Sequence, residues 1–215
     1  MIVYSPGCAL LIYKPHLAEK VLAYLKTDDP NISMHEICCR HQPRLPQGST
    51  VINTCAGCDR RFRSLYDGVD TVSLWEVLAE SDFPFPDHSG LTLSLHDPCP
   101  IREKPQVHQA VRRLLERMNI TLIEAPEHGT GSVCCGDSFY TKIDLPKVHE
   151  QMRKRAQSMP CPEVAVYCVS CVKSMHIGDK KPRYLVDLLF DEQTEIGEYD
   201  TEKWHAQINA FIAAH

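Results

Sequence analysis

The sequence predicts an α/β protein built as two tandem pseudo-repeats, each a small parallel sheet with flanking helices and cysteines at the carboxyl ends of its strands. Three observations predict it. Short apolar runs alternate with stretches of helical period in both halves of the 215 residues, the pattern of β-α-β units with crossovers. Ten of the eleven cysteines fall in one order written twice, Cys8, Cys38-Cys39, Cys55-x-x-Cys58 and then Cys99, Cys134-Cys135, Cys168-x-x-Cys171. Between the two series, residues 82–90 (DFPFPDHSG) have the composition of a linker. The expected division is therefore residues 1–87, a shortened first repeat, and residues 88–215, the second repeat with a terminal helix.

In the first half, residues 2–4 (IVY) form a short strand stopped by Pro6-Gly7, a turn that delivers Cys8 just past the strand end. A helix follows from about Pro15, with Leu17, Val21, Leu22 and Leu25 at helical spacing and proline in the first turn. Residues 31–36 alternate enough to be a second strand leading to Cys38-Cys39, and residues 40–49 (RHQPRLPQGS) are a polar loop. Residues 50–53 (TVIN) make a third strand, and Cys55-x-x-Cys58 opens a helix to about Tyr66. Residues 71–78 mix a short extended piece with a helix ending near Ser81.

The second half replays this. Residues 91–95 (LTLSL) form a strand, His96-Asp97-Pro98 turns the chain into Cys99, and Lys104-Pro105 opens a helix. Val111 and Leu115 stand at the same spacing from Pro105 as Val21 and Leu25 from Pro15. Residues 119–124 match 31–36, and residues 165–171 (AVYCVSC) match 51–58 (VINTCAGC) as a strand running into CxxC. The halves differ in two ways. Fifteen residues separate Cys39 from Cys55 but thirty-two separate Cys135 from Cys168, and the extra length holds an amphipathic helix over about 146–159. Gly136 follows the second cysteine pair, whereas Arg40 follows the first. A last helix is expected over 201–215, with Trp204, Ile208, Phe211 and Ile212 on one face.

Composition narrows the function. A net charge of −5 without a concentrated basic patch argues against nucleic-acid binding. No run approaches the roughly 18 apolar residues of a membrane span, and the opening residues do not read as a signal peptide. The expected compartment is cytoplasmic and reducing, where clustered cysteines bind metal or do redox work rather than form disulfides. In open α/β sheets the site lies beyond the carboxyl ends of the strands, where Cys8, Cys55, Cys99 and Cys168 all emerge. CxxC at a helix start brings two sulfurs together where the helix N-terminus favours thiolate. With a vicinal pair and a single cysteine, each half offers five thiolates, one more than tetrahedral zinc or a cubane cluster needs. A glycine after the pair lets the backbone turn tightly and lets amides approach sulfur. As buried apolar filler, cysteine explains Cys161 but not ten in repeated order.

On these motifs, with Pro6-Gly7-Cys8, His96-Asp97-Pro98-Cys99 and Cys134-Cys135-Gly136, the chain resembles the cysteine-rich CCG-domain proteins. The best-known member is the B subunit of heterodisulfide reductase; related parts occur in lactate-utilisation, glycolate oxidase and anaerobic glycerol-3-phosphate dehydrogenase systems. The resemblance implies a noncubane [4Fe-4S] cluster on Cys99, Cys134, Cys135, Cys168 and Cys171. It implies a second on Cys8, Cys38, Cys39, Cys55 and Cys58, where the short interval and Arg40 leave a different cluster, zinc or no metal as alternatives. One or two clusters per chain are thus expected, with zinc an option at one site.

The activity implied is reduction of a small disulfide, or oxidation of thiols or an organic acid, with electrons from a ferredoxin-like iron-sulfur subunit and a flavoprotein. His35, His41, His96 and His176 lie beside ligand segments, and His96 is the candidate catalytic residue, fixed between a strand and Asp97-Pro98. Two other readings stand beside it: an electron-transfer subunit of a dehydrogenase, and a zinc-stabilised structural protein. The chain has neither the C-x₂-C-x₂-C-x₃-C-P run of ferredoxins nor a GxGxxG after a strand, so the electron source and the flavin belong to other subunits.

Overall fold

The computed structural model describes residues 1–215. By internal contacts the chain forms two compact units, Met1–Phe83 with Trp204–His215, and Pro84–Lys203. Each contains a four-stranded, wholly parallel sheet with helices packed on it, the tandem α/β arrangement expected from the sequence.

In the first unit the strands are β1 (Ile2–Ser5), β2 (Ser33–Met34), β3 (Ser49–Asn53) and β4 (Val69–Ser73), in the order β2-β1-β3-β4. In the second they are β5 (Thr92–His96), β6 (Thr121–Glu124), β7 (Glu163–Val166) and β8 (Lys181–Tyr184), in the order β6-β5-β7-β8. The orders are the same. In both, the chain leaves the first strand to one side and returns to build the other, which opens a crevice beyond the carboxyl ends of the two central strands.

The register sends the cysteines there. Ser5 of β1 pairs with Asn53 of β3, so Cys8 and Cys55 follow two strand ends that lie level. His96 of β5 pairs with Val166 of β7, and Cys99 and Cys168 follow those ends at the same offsets. Val3, Val51, Val164, Val166, Leu93 and Leu95 are buried in the sheets, as parallel strands covered on both faces require.

The helices of the first unit are α1 (Cys8–Tyr13), α2 (Pro15–Asp28), α3 (Ala56–Leu65) and α4 (Leu74–Ala79). Pro15 sets the first turn of α2, whose Leu17, Ala18, Val21 and Leu25 are buried. Ser73 starts α4 with a capping box, its amide donating to Glu76 Oε2 at 3.2 Å. The second unit holds α5 (Pro105–Arg117), α6 (Leu145–Gln157), α7 (Val169–Ile177) and α8 (Leu185–Leu189). Pro105 repeats the role of Pro15, and Val107, Ala110, Val111, Leu114 and Leu115 bury the matching stripe.

The final helix, α9 (Thr201–Ala214), starts in the second unit and contributes Trp204–His215 to the first. Its Ile212 packs against the cluster of Cys38, Cys39, Cys58 and Phe62. No helix of the chain is long and apolar enough to cross a membrane.

Candidate metal centre

Each unit gathers its own five cysteines. In the second, the sulfurs form one line of hydrogen-bond contacts running Cys99, Cys134, Cys135, Cys171, Cys168. In the first, the line runs Cys8, Cys38, Cys39, Cys58, Cys55. The order is identical: single cysteine, the vicinal pair, then CxxC read backwards. Cys161 lies outside both lines, buried with its amide donating to Ser94 Oγ at 2.8 Å.

Local geometry explains how five sulfurs meet. Cys55 and Cys168 are the N-caps of α3 and α7. The Cys58 thiol, and after it the amides of Cys58 and Gly57, lower the pKa of Cys55 to about 7 against burial. Gly7, at φ 79°, brings the chain so close to Cys55 that a Cβ there would lie 2.8 Å from the Cys55 Cβ. Around the second pair, Gly136 N donates to Cys134 Sγ at 3.3 Å and Ser138 Oγ pairs with the same sulfur at 2.9 Å.

The first cysteine of each pair is the natural thiolate. Cys38 takes hydrogen bonds from Cys39 and Cys8 and is pulled down to about 2; Cys134 is pulled down by Cys135 and Cys99 in the same way. Their donors pay the opposite effect: Cys8 and Cys99 are pushed up first by that donation and then by burial, and Cys39, to about 12, and Cys135 likewise. Five such thiols cannot ionise together without a cation among them. The donor set therefore suits a soft, multiply charged metal centre.

Beneath the second line lies His96, fully buried. One of its ring nitrogens and the sulfurs of Cys135 and Cys171 all lie within 4.8 Å of one another, a group able to hold metal. Burial, and then the Arg155 charge, lower its pKa to about 3, so the ring is neutral. Arg155 of α6 donates from Nε to His96 Nδ1 at 3.2 Å, while His96 Nε2 has no partner.

Asp97, also buried, ties the three ligand-bearing segments together. Its carboxylate accepts from Arg112 of α5 at 2.9 and 3.2 Å, from the Gly129 amide at 2.6 Å and from Tyr167 OH at 2.6 Å. Its carbonyl accepts from Ser132 Oγ at 2.7 Å. Tyr167 precedes Cys168, and Gly129 and Ser132 lead into the vicinal pair, so one side chain sets their relative positions. Lys173 of α7 is buried as well, and burial pulls its pKa down to about 8 against the attraction of Asp137 and the cysteine sulfurs.

The two centres differ around the same cysteines. Gly136 has φ 107°, and a Cβ there would lie 2.6 Å from Met152 Cγ and 2.8 Å from Met152 N on α6. The glycine is needed because a helix backbone passes against it. The first unit has no such helix between Cys39 and β3, and Arg40 is accommodated. In that place stands the end of α9: Cys38 N donates to His215 O at 3.3 Å and His41 Nε2 meets Ile212 O at 2.8 Å. Cys38 is consequently buried, whereas Cys134 is half-exposed beside a cavity of about 320 Å³ lined by Val133, Phe139, Gln151 and Lys154 among others. His35 is buried with an edge contact to Phe62, and His176 sits edge-on to Tyr199. Sequence reasoning missed Arg155, Tyr167 and Asp97 as site organisers; only the HDPC string carried a signal, for Asp97.

Comparison with known proteins points the same way. Residues 93–176 match the family model described as a cysteine-rich domain, CCG, a stretch containing all five cysteines of the second line. An uncharacterized iron-sulfur protein of Methanococcus maripaludis is 26% identical over 143 residues, 63% of this chain and 28% of that protein. The chain thus spans 28% of the length of that curated relative. Among solved structures, aspartate racemase of Picrophilus torridus is similar at 10% identity and a TM-score of 0.36, covering 87% of this chain and 90% of its own; a likeness at that level carries no argument. The class defined by fold and site is a cysteine-rich α/β protein similar, over part of its length, to an iron-sulfur protein.

Proposed function

We propose that the chain is an iron-sulfur redox subunit of the disulfide-reductase or thiol-oxidase kind. The second unit would hold a noncubane [4Fe-4S] cluster on Cys99, Cys134, Cys135, Cys168 and Cys171, and the first a cluster on Cys8, Cys38, Cys39, Cys55 and Cys58. The observation that carries this reading is the unbroken line of five sulfurs in each unit, too many for one tetrahedral zinc. Bound there, the group supplies one-electron steps and iron that a substrate sulfur can reach.

The chain's own residues supply the rest. The Gly136 amide and Ser138 hydroxyl hold the Cys134 sulfur in place. The adjoining cavity admits a small disulfide, with Val133 and Phe139 as its apolar wall and Gln151 and Lys154 as its polar one. Buried Lys173 offsets thiolate charge next to Cys171. At the first site, α9 covers Cys38, which suits electron relay rather than substrate contact. The net reaction takes one disulfide, two electrons and two protons to two thiols. The electrons would come from a ferredoxin-like iron-sulfur subunit fed by a flavoprotein.

Iron and sulfide analysis of anaerobically prepared protein tests the reading. About eight irons per chain are expected for two four-iron clusters and about four for one. Zinc without iron would instead establish the structural reading that the His96, Cys135 and Cys171 group favours. Adding a panel of small disulfides to reduced protein should then oxidise it, seen as a change in the visible spectrum. No response across the panel would leave electron transfer as the role.

A further inference from the structure

We propose that Lys154 and Gln151 of α6 hold the carboxylate head of a small sulfur compound whose sulfur faces Cys134, and so select the substrate of the second centre. The cavity beside Cys134, about 320 Å³, stands at the low end of the roughly 300–1,000 Å³ of small-molecule sites. Helix α6 lines it with Gln151, Lys154 and Arg155, and with Ser158 at its C-cap, a spacing that puts all four on one face of the helix. Val133 and Phe139 form the apolar part of the lining. The Cys134 sulfur, which accepts from Gly136 N and pairs with Ser138 Oγ, is the reactive pole.

Most of the polar lining is already engaged. Arg155 Nε donates to His96 Nδ1 at 3.2 Å. Its Nη1 donates to Ser158 Oγ at 3.2 Å and Glu127 Oε2 at 3.4 Å, and its Nη2 to Glu127 O at 2.8 Å and Ser132 Oγ at 3.3 Å. Those bonds occupy every N–H of the guanidinium. Ser158 Oγ donates in turn to Arg155 O at 2.8 Å. Glu127 and Arg155 form an ion pair, so their charges cancel within the lining.

Lys154 and Gln151 are different. Neither side chain makes a hydrogen bond or an ion pair within the chain, and Lys154 is the cation of the lining that no carboxylate matches. An ammonium and an amide one helical turn apart present donors for the two oxygens of a carboxylate. One unmatched positive charge fits a head with one negative charge. A phosphate dianion would bring a second charge that nothing in the lining meets, with the Glu127 carboxylate there to repel it. The apolar wall of Val133 and Phe139 suits the short methylene spacer between such a head and its sulfur. The sulfur end of this assignment rests on the disulfide chemistry proposed above; the carboxylate end stands on the cavity alone.

The carboxylate end is tested with thioethers, which no disulfide chemistry can consume. In ligand-observed NMR titrations of the whole, anaerobically prepared chain, methylthiopropionate should bind about fivefold more tightly than methylthiopropanol, the upper end for one exposed ion pair. Lys154→Met should abolish that preference and Gln151→Glu should weaken it. Lys154→Glu should reverse the charge order, with methylthiopropylamine now bound best, a reversal that loss of structure would not produce. Equal affinities in the native protein, binding of none of the three, or a carboxylate preference that survives Lys154→Glu would overturn the proposal. The sulfur end is read on iron-loaded, reduced protein from its visible spectrum. Dithiodipropionate should oxidise it faster than hydroxyethyl disulfide, and cystamine slowest, in an order that Lys154→Glu inverts; rates blind to the charge of the tail would overturn the selection. If no disulfide oxidises the protein while the thioether preference holds, the function proposed above fails and the carboxylate site stands.

Discussion

At the scale of single residues, Gly136 and Arg40 show how one position can be constrained in one repeat and free in the other. Gly136→Ala would force a Cβ into the Met152 backbone at a φ of 107°. Denaturant unfolding should show a loss of about 1–3 kcal/mol, the range for overpacking a filled site. Arg40→Gly should change stability by less than about 0.5 kcal/mol, since no helix passes there. Asp97→Ala should cost about 3 kcal/mol, the lower end for breaking a buried pair, because Glu124 still engages Arg112 at 2.6 Å. The gathering of ten cysteines into two groups was legible in the sequence because their spacing repeats. The Asp97 partners were not, because Arg112, Gly129 and Tyr167 lie 15 to 70 residues away and meet only in the fold.

At the scale of elements, legibility followed burial pattern. The long amphipathic helices α2, α5 and α6 match their apolar periods, with Pro15, Pro105 and Pro146 in the first turns. Strand β8 did not stand out, because Lys181-Pro-Arg-Tyr184 is a polar edge strand where proline is tolerated and alternation is weak. Helix α1 is only six residues, too short to show a period, and β2 shrinks to Ser33–Met34. The β7–β8 pair carries a pH signature. Glu163 accepts from Lys181 at 2.8 Å and Arg183 at 3.0 Å. Burial alone would raise its pKa, but the two cations outweigh it and hold the carboxyl below its usual range. Its contribution is therefore present above the unfolded value of about 4.3 and lost as pH falls through the folded one. Glu163→Gln should lose about 0.5–1 kcal/mol at neutral pH, and unfolding curves of the two proteins should converge on acidification.

At the scale of the whole molecule, the two units repeat one plan with different surroundings. If each line of sulfurs holds its own group, Cys171→Ser and Cys58→Ser should each remove about half the iron, and Cys161→Ser should remove none. Equal and complete loss in both ligand variants would mean a single shared centre. The doubling itself was readable from ten cysteines in repeated order. The role of α9 was not. Its stripe of Trp204, Ile208, Phe211 and Ile212 predicted a packed helix but not which core would receive it, since an apolar face carries no address.

That last helix also sets an order on biosynthesis. Every residue of Pro84–Lys203 is joined to the chain before Trp204, so the second unit has its complete complement of chain first. The first unit, although translated earlier, waits for residues 204–215 to cover Cys38. Its thiols stay open longest to the machinery that would deliver a metal, and the later-translated half is the one that matures first. Nascent chains carrying residues 1–203 followed by a linker long enough to clear the ribosomal tunnel should therefore protect Cys135 and Cys171 from alkylation while leaving Cys38 reactive.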